Sequence, residues 1–297
     1  MASSNALNPG GIGGSVASGE GKRRVKIIRA PSLSLRELWQ SVRALVEYRD
    51  LFYTLSAHRI KVRYKQSMLG FAWAIVQPFA LMLIYTLIFS IVTRMPSEGT
   101  PYAVFAYAAL LPWTSFSNAL TSGTNSLVSH SHLVTKVYFP REILPATYVV
   151  ASLFDLAVGS SVLALMMLYY KIVPTVLILW AVPIITVMTV FTLGVTLILS
   201  ALQVYFRDIG MAMPLLMQLW LFASPVVYPL SAVPAWLYPV YVLNPMVGLT
   251  ENFRRVILQG MAPDLRALAV AAIVSAVLLP ASYILFKRLE ATLADVV

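Results

Sequence analysis

Between Lys65 and Arg94 the chain carries no charged side chain. A run of that length is enough to cross a bilayer as a helix, which takes roughly 20 residues. Immediately before it stands Arg59-Ile60-Lys61-Val62-Arg63-Tyr64-Lys65, a basic cluster. Cytoplasmic flanks of membrane spans carry the excess of Lys and Arg, so this junction predicts the inner face and orients every later segment.

The same pattern recurs down the chain. It predicts an all-α integral membrane protein with six transmembrane helices, at about 71–93, 103–125, 143–170, 175–205, 209–227 and 267–286. Composition agrees: 59% of residues are hydrophobic and 11% charged, against about 25% charged in soluble domains. Pro225, Pro229, Pro234, Pro239 and Pro245 interrupt the segment after the fifth span. No single helix holds them all, so short re-entrant helices in the outer leaflet are expected there, covered by protein or a wet cavity. Outer loops are expected at Arg94–Pro101, Lys171–Pro174 and Glu251–Arg266.

Counting charges tests the orientation. Of the 22 Lys and Arg, 17 fall on predicted inner segments, including Lys136, Arg141, Arg207, Lys287 and Arg288. The outer segments hold Arg94, Lys171, Arg254, Arg255 and Arg266. Both termini are therefore expected in the cytosol. The net charge of +10 follows this topology and does not point to nucleic acid.

Three regions follow from these patterns. Residues 1–33 are expected to form a tail, disordered up to Gly21 and then basic, with no apolar core of a signal peptide. Residues 34–68 read as cytosolic amphipathic helices. Ser34 and Glu37 form a capping-box pattern, and Leu35, Leu38, Trp39, Val42 and Leu45 recur at helical spacing. Such a helix lies in the membrane interface or packs on protein. A second amphipathic segment, Asp50–Lys65, carries Leu51, Phe52 and Leu55 ahead of the basic cluster, which anionic lipid attracts. Residues 69–297 form the transmembrane domain.

Several function classes are disfavoured. The chain contains no Cys, which excludes thiol chemistry and Cys-bound metals. A phosphate loop fails: Gly21-Lys22 would need Gly at 16 and Ser or Thr at 23, and the chain has Val16 and Arg23. Any ATP and magnesium must then be bound by another polypeptide. His58, His130 and His132 form no metal set and read as solvated loop residues. No catalytic constellation is present. Asp155 is the one charge inside a predicted span. It serves either transport or, with no basic partner in another span, hydrogen bonding between helices.

Aromatic residues number 6 Trp, 15 Tyr and 13 Phe. Most anchor the interface or fill the core. Trp113, Phe116, Trp220 and Phe222 lie within spans beside small or polar residues, where rings can also line a path and stack on sugars. Tyr228, near the proline-rich outer segment, joins them as a lining candidate.

Five motifs in order carry a family resemblance. They are Arg59-x-Lys61-x-Arg63-Tyr64-Lys65-Gln66-Ser67-x-Leu69-Gly70 with Trp73 and Gln77-Pro78, Phe139-Pro140-Arg141 with Leu144-Pro145, Phe206-Arg207-Asp208, Ser224-Pro225-Val226, and Asn244-Pro245-Met246. Together they resemble the membrane subunit of bacterial polysaccharide-export ABC transporters of the ABC-2 type, over about residues 48–290. The resemblance implies a homodimer of six-span subunits with two separate ATPase subunits in the inner membrane. It implies an undecaprenyl-linked glycan, O-antigen-like, as cargo, and inner loops that meet the ATPase. The tail before Lys22 is outside the pattern.

On this reading Arg59, Lys61, Arg63 and Lys65 sit where a lipid pyrophosphate lies at the inner face; anionic lipid headgroups are the alternative ligand. Lys136, Arg141 and Arg207 are the expected coupling residues toward the ATPase. An exporter of drugs or small lipids keeps the same architecture. A channel or ion-coupled carrier is disfavoured by the scarcity of charge within the spans and by the absence of an internal repeat.

Overall fold

A long central helix, Tyr102–Thr124 (α3), is buried along most of its length and organises the rest. A computed structural model describes residues 46–65, 70–97 and 99–296, and every structural statement here concerns these residues. The order is α1 Arg49–Lys65, α2 Trp73–Tyr85 continuing as a π-helix to Val92, α3, α4 Ser126–Ser129, α5 Ser131–Lys136, α6 Ile143–Tyr169 and α7 Ala181–Tyr205. Then come α8 Asp208–Phe222, α9 Tyr238–Val242, α10 Pro245–Arg254, a π-turn Arg255–Gln259, and α11 Leu265–Val296. The described residues contain no strand.

Around α3 pack α2, α6, α7, α8 and α10, while α11 lies along α7 and α10. The α3–α7 approach depends on a glycine. A Cβ at Gly123 would stand 2.4 Å from Thr196 Cγ2, and small residues let helix backbones approach in this way. A large apolar core, from Met82 through Ala271, fills the bundle. A second cluster, built on Leu127, Phe139, Ile143, Leu197 and Phe286, sits at the basic end. Leu51, Phe52 and Leu55 of α1 pack on that cluster, so the apolar face of α1 meets protein.

Four helical segments are long and apolar enough to cross a membrane: Trp73–Val92, Ile143–Tyr169, Val176–Tyr205 and Leu265–Glu290. Helix α8 is apolar but shorter. Helix α3 has 23 residues, roughly 35 Å at 1.5 Å per residue, yet Thr114, Ser115, Ser117 and Asn118 reduce its hydropathy. It is walled by other helices, so it need not be apolar all round.

Two expectations are corrected. Glu251–Arg266 is not simply a loop, because α10 and the π-turn occupy 245–259. Asn244 caps α10 by accepting from Met246 N, and Pro245 stands in the first turn where its missing N–H is harmless. The fifth span ends at Phe222, short of 227. The helix of the last expected span runs on beyond 286 to Val296, and past the span Lys287 pairs with Glu290 and with Glu142. The expected amphipathic helix at 34–47 lies outside the described residues, except for its last two positions.

Candidate functional site

At the basic end, Arg59 is turned into the protein. Its Nε donates to Thr147 Oγ1 at 2.7 Å, and its guanidinium lies 3.7 Å over the Tyr148 ring. A third contact runs from Nη2 to His130 Nε2 at 3.4 Å. His130 Nδ1 is 3.0 Å from Ser126 O. A carbonyl only accepts, so Nδ1 carries the proton and Nε2 accepts from Arg59. Burial, then the Arg59 charge, hold His130 below its ordinary value. Burial likewise holds Arg59 down, against the opposing influence of Tyr148. Of the other basic candidates, Lys61 and Lys65 are exposed, while the Arg63 side chain lies outside the described residues.

The expected coupling residues divide in the same way. Lys136 is exposed at the end of α5. Arg141 is half-buried and latches onto the last helix: Nη1 donates to Glu290 O at 2.8 Å, and its backbone N to Glu290 Oε1 at 3.4 Å. Beside it, Glu142 is buried and accepts from Lys287 Nζ at 2.9 Å and Tyr283 Oη at 3.0 Å. Burial pushes the Glu142 carboxyl up, against the pull of Lys287. Arg207 is exposed at the start of α8, and its carbonyl accepts from Gln203 Nε2 at 3.2 Å.

The five aromatic candidates form a series from core to surface. Trp113 and Phe116 are enclosed within the protomer, at 3% and 0% exposure. Phe116 stacks on Phe191 at 5.7 Å and meets Trp220 edge-on at 5.0 Å, the offset and T-shaped geometries aromatic pairs prefer. Trp220 is half-buried, and its Nε1 donates to Asn244 Oδ1 at 3.1 Å. Asn244 Nδ2 donates to Ser224 Oγ at 3.0 Å and Ala223 O at 3.1 Å. Phe222 is exposed; its carbonyl accepts from Tyr228 Oη at 2.7 Å and Tyr241 Oη at 3.2 Å. The motif residues Ser224 and Asn244 thus join the end of α8 to the start of α10.

Sequence reasoning missed two features. The first is a buried ion pair on α10 between Arg254 and Glu251, with the Arg254 guanidinium 3.8 Å over the Phe105 ring. Their spacing of three residues on a helix was the available signal. The second is a cavity of about 350 Å³ with a mixed polar and apolar lining between α2, α3 and α6. Trp73, Gln77, Thr114, Asn118 and Asp155 are among the residues that line it.

Residues 50–258 match the ABC-2 type transporter family, from α1 through the π-turn after α10. The chain belongs to the ABC-2 type transporter family. Within this ABC-2 group it is similar to the O-antigen export system permease protein RfbA of Myxococcus xanthus. The identity is 34% over 256 residues, covering 86% of this chain and 98% of that protein. An RfbA of Klebsiella pneumoniae is 28% identical over 212 residues, 71% of this chain and 81% of that protein. The polysialic acid transport protein KpsM of Escherichia coli is 23% identical over 216 residues, 69% of this chain and 80% of that protein. As an ABC-2 transporter chain with several apolar helices, this is a multi-pass membrane protein.

Proposed function

We propose that the chain is the membrane subunit of an ATP-driven exporter that moves lipid-linked, O-antigen-like polysaccharide across the inner membrane. The observation that carries this reading is the 34% identity to an O-antigen export permease along 98% of that protein's length. The chain works as a homodimer with two copies of a separate ATPase, which binds the ATP and magnesium. Helices α2, α3, α6, α7, α8 and α11 are the six spans, and the basic end, with both termini, faces the cytosol. Segments between Ala223 and Gln259 form a re-entrant outer gate.

The exposed residues of α2 and α8 support a path between two copies. Leu83, Leu87 and Ile91 on α2 and its π-helical extension, and Leu215, Leu219 and Phe222 on α8, are exposed apolar side chains, suited to lipid or a second protomer. Phe222, Trp220 and Tyr228 line the path, with Trp113 and Phe116 behind them. Lys61 and Lys65, with Arg63, meet the lipid pyrophosphate, while Arg59 holds α1 in position for them. Lys136 and Arg207 face the ATPase; Arg141 braces the same loop.

Deletion of the gene followed by complementation tests the assignment. Surface polysaccharide should vanish on deletion, accumulate inside on the lipid carrier, and return with the intact chain. Surface polysaccharide unchanged by deletion would overturn it.

A further inference from the structure

Phe206 and Arg207 form the turn that joins α7 to α8, and one buried side chain holds this turn. Gln203, in the last turn of α7, is 4% exposed. Its Oε1 accepts from Gly210 N. Its Nε2 donates to Asn125 Oδ1 at 3.2 Å and to Arg207 O at 3.2 Å. A glutamine amide has two donor hydrogens, and these bonds use both. Asn125 directly follows α3 and donates from Nδ2 to Thr121 O at 3.2 Å. One glutamine therefore clasps α7, the end of α3 and the start of α8.

Gly210 is the third residue of α8, so its N–H has no partner within the helix. A side-chain oxygen on the residue just before a helix commonly caps such a group. Arg207 stands at that position and has only donors. Gln203 supplies the cap from the preceding helix instead. The fit leaves no room for a side chain at 210: a Cβ there would stand 2.5 Å from Gln203 Nε2 and 2.6 Å from Asn125 Oδ1.

The far end of α8 is clasped by a second amide. Asn244 accepts from Trp220 Nε1 and donates to Ala223 O and Ser224 Oγ. Between the two clasps α8 runs for 15 residues, roughly 22 Å at 1.5 Å per residue. Along that length it is held lightly within the protomer. Leu215, Leu216 and Leu219 are exposed, while Met213 and Met217 form a narrow buried seam. A helix fastened at both ends and seated on a narrow seam moves as a rod.

We propose that Gln203 is a positioning residue for transport. It fastens the 206–207 turn to α8, and α8 carries a displacement of that turn to the outer segment held by Asn244. The proposal rests on the polysaccharide-export reading, in which Arg207 faces the ATPase and the segments after Ala223 form the outer gate. It adds the part that joins the two. Asn125 also leads into α4 and α5, so the segment carrying Lys136 is held by the same clasp, and the two ATPase-facing loops move in step. The seam suits sliding, because unbranched methionine side chains repack readily.

The test uses the full chain with its ATPase. The chain has no Cys, so a single cysteine at the exposed position 243 reports on the outer end of α8. Its maleimide labelling rate is measured in the purified complex with ADP and with a slowly hydrolysed ATP analogue. The two rates should differ about twofold or more, the low end of known coupling energies. Gln203→Leu and Gly210→Ala should each erase the difference while nucleotide binding persists. A difference that survives in either variant, or equal rates with the native clasp, overturns the proposal.

Cells that export the polymer supply a second arm. Surface glycan per assembled complex should fall about tenfold in both variants, with membrane level and basal ATP hydrolysis retained. Gly210→Ala is the sharper of the two, because alanine favours helix and α8 taken alone would gain from it. Asn125→Asp, whose Oδ1 still accepts from Gln203, should keep export, and Asn125→Leu should lose it. Export that falls only in step with membrane level shows a structural brace; that result overturns the proposal and leaves the export reading standing. If deleting the chain leaves surface glycan intact, the export reading fails and the proposal fails with it.

Discussion

Glu251→Ala strands a charge. Arg254 has no exposed surface and Glu251 only 7%. Arg254 Nη2 bonds Glu251, and Nε and Nη1 have no hydrogen-bonding partner among the described residues. The Phe105 ring beneath the guanidinium is present in both the native and the variant protein, so it does not change the difference. Removing one member of a buried pair costs about 3–5 kcal/mol, because the remaining charge stays desolvated. At about 2–4 °C per kcal/mol for a chain of this order of size, the apparent melting temperature should fall by roughly 6–20 °C. Replacing both partners, Glu251→Leu with Arg254→Met, removes the charge along with its partner and should recover most of that loss. The purified complex in detergent can be heated in steps and its remaining monodisperse fraction measured by size-exclusion chromatography. A drop under about 2 °C for Glu251→Ala, or a double variant no better than the single one, would refute the reasoning.

Docking of α1 should weaken with acid. His130 is held below its ordinary value of 6.5, so below that pH the undocked state binds more protons and the contact is progressively lost. Amide exchange in α1 should rise between pH 7.5 and 5.5, and His130→Gln should abolish the rise. Arg141→Glu removes the bond to Glu290 O and sets a second carboxylate beside Glu290. The end of the C-terminal helix should then become more open to limited proteolysis even with Glu142 still holding Lys287, whereas Lys136→Glu should not have this effect. Trp113→Ala should reduce folded protein by the about 3–5 kcal/mol typical of a buried Trp. Phe222→Ala should leave membrane levels unchanged and lower surface polysaccharide. Single cysteines at 97 and 262 should react with an impermeant reagent from outside, and those at 132 and 290 should not; labelling at 290 would reverse the orientation.

The four helical segments long and apolar enough to cross a membrane were legible because each is bounded by charge on at least one side. The region 209–259 was harder for opposite reasons in its two halves. From 223 to 244 the prolines announce irregular structure but not how its ends are tied, since the Ser224–Asn244 bond links residues 20 apart. From 245 to 259 the polar content of α10 imitates a loop, because Glu251 and Arg254 pair inside the protein rather than standing in water. The basic cluster was legible as a cluster only. Alternating cations look equivalent along a sequence, and Arg59 differs from Lys61 because Thr147 and Tyr148 stand opposite it. Trp113 shows a similar limit: a ring beside small residues suits a path or a core equally, and its 3% exposure within the protomer appears only once the helices pack. Asp155 was legible as unusual, but its cavity is assembled from α2, α3 and α6, and no local pattern announces that.

The inward turn of Arg59 also orders events in time. Thr147 lies 88 residues downstream, so α1 leaves the ribosome well before its anchor exists. At about 5–20 residues per second, the wait is roughly 4–18 s. During it, the guanidinium must stay hydrated or rest among lipid phosphates while α2 and α3 insert. Only when the second turn of α6 arrives can Arg59 exchange that surface for Thr147 and Tyr148. Newly made chains therefore begin with α1 loose on the bilayer and end with it fastened, and a chain stopped before Ile143 stays in the first condition.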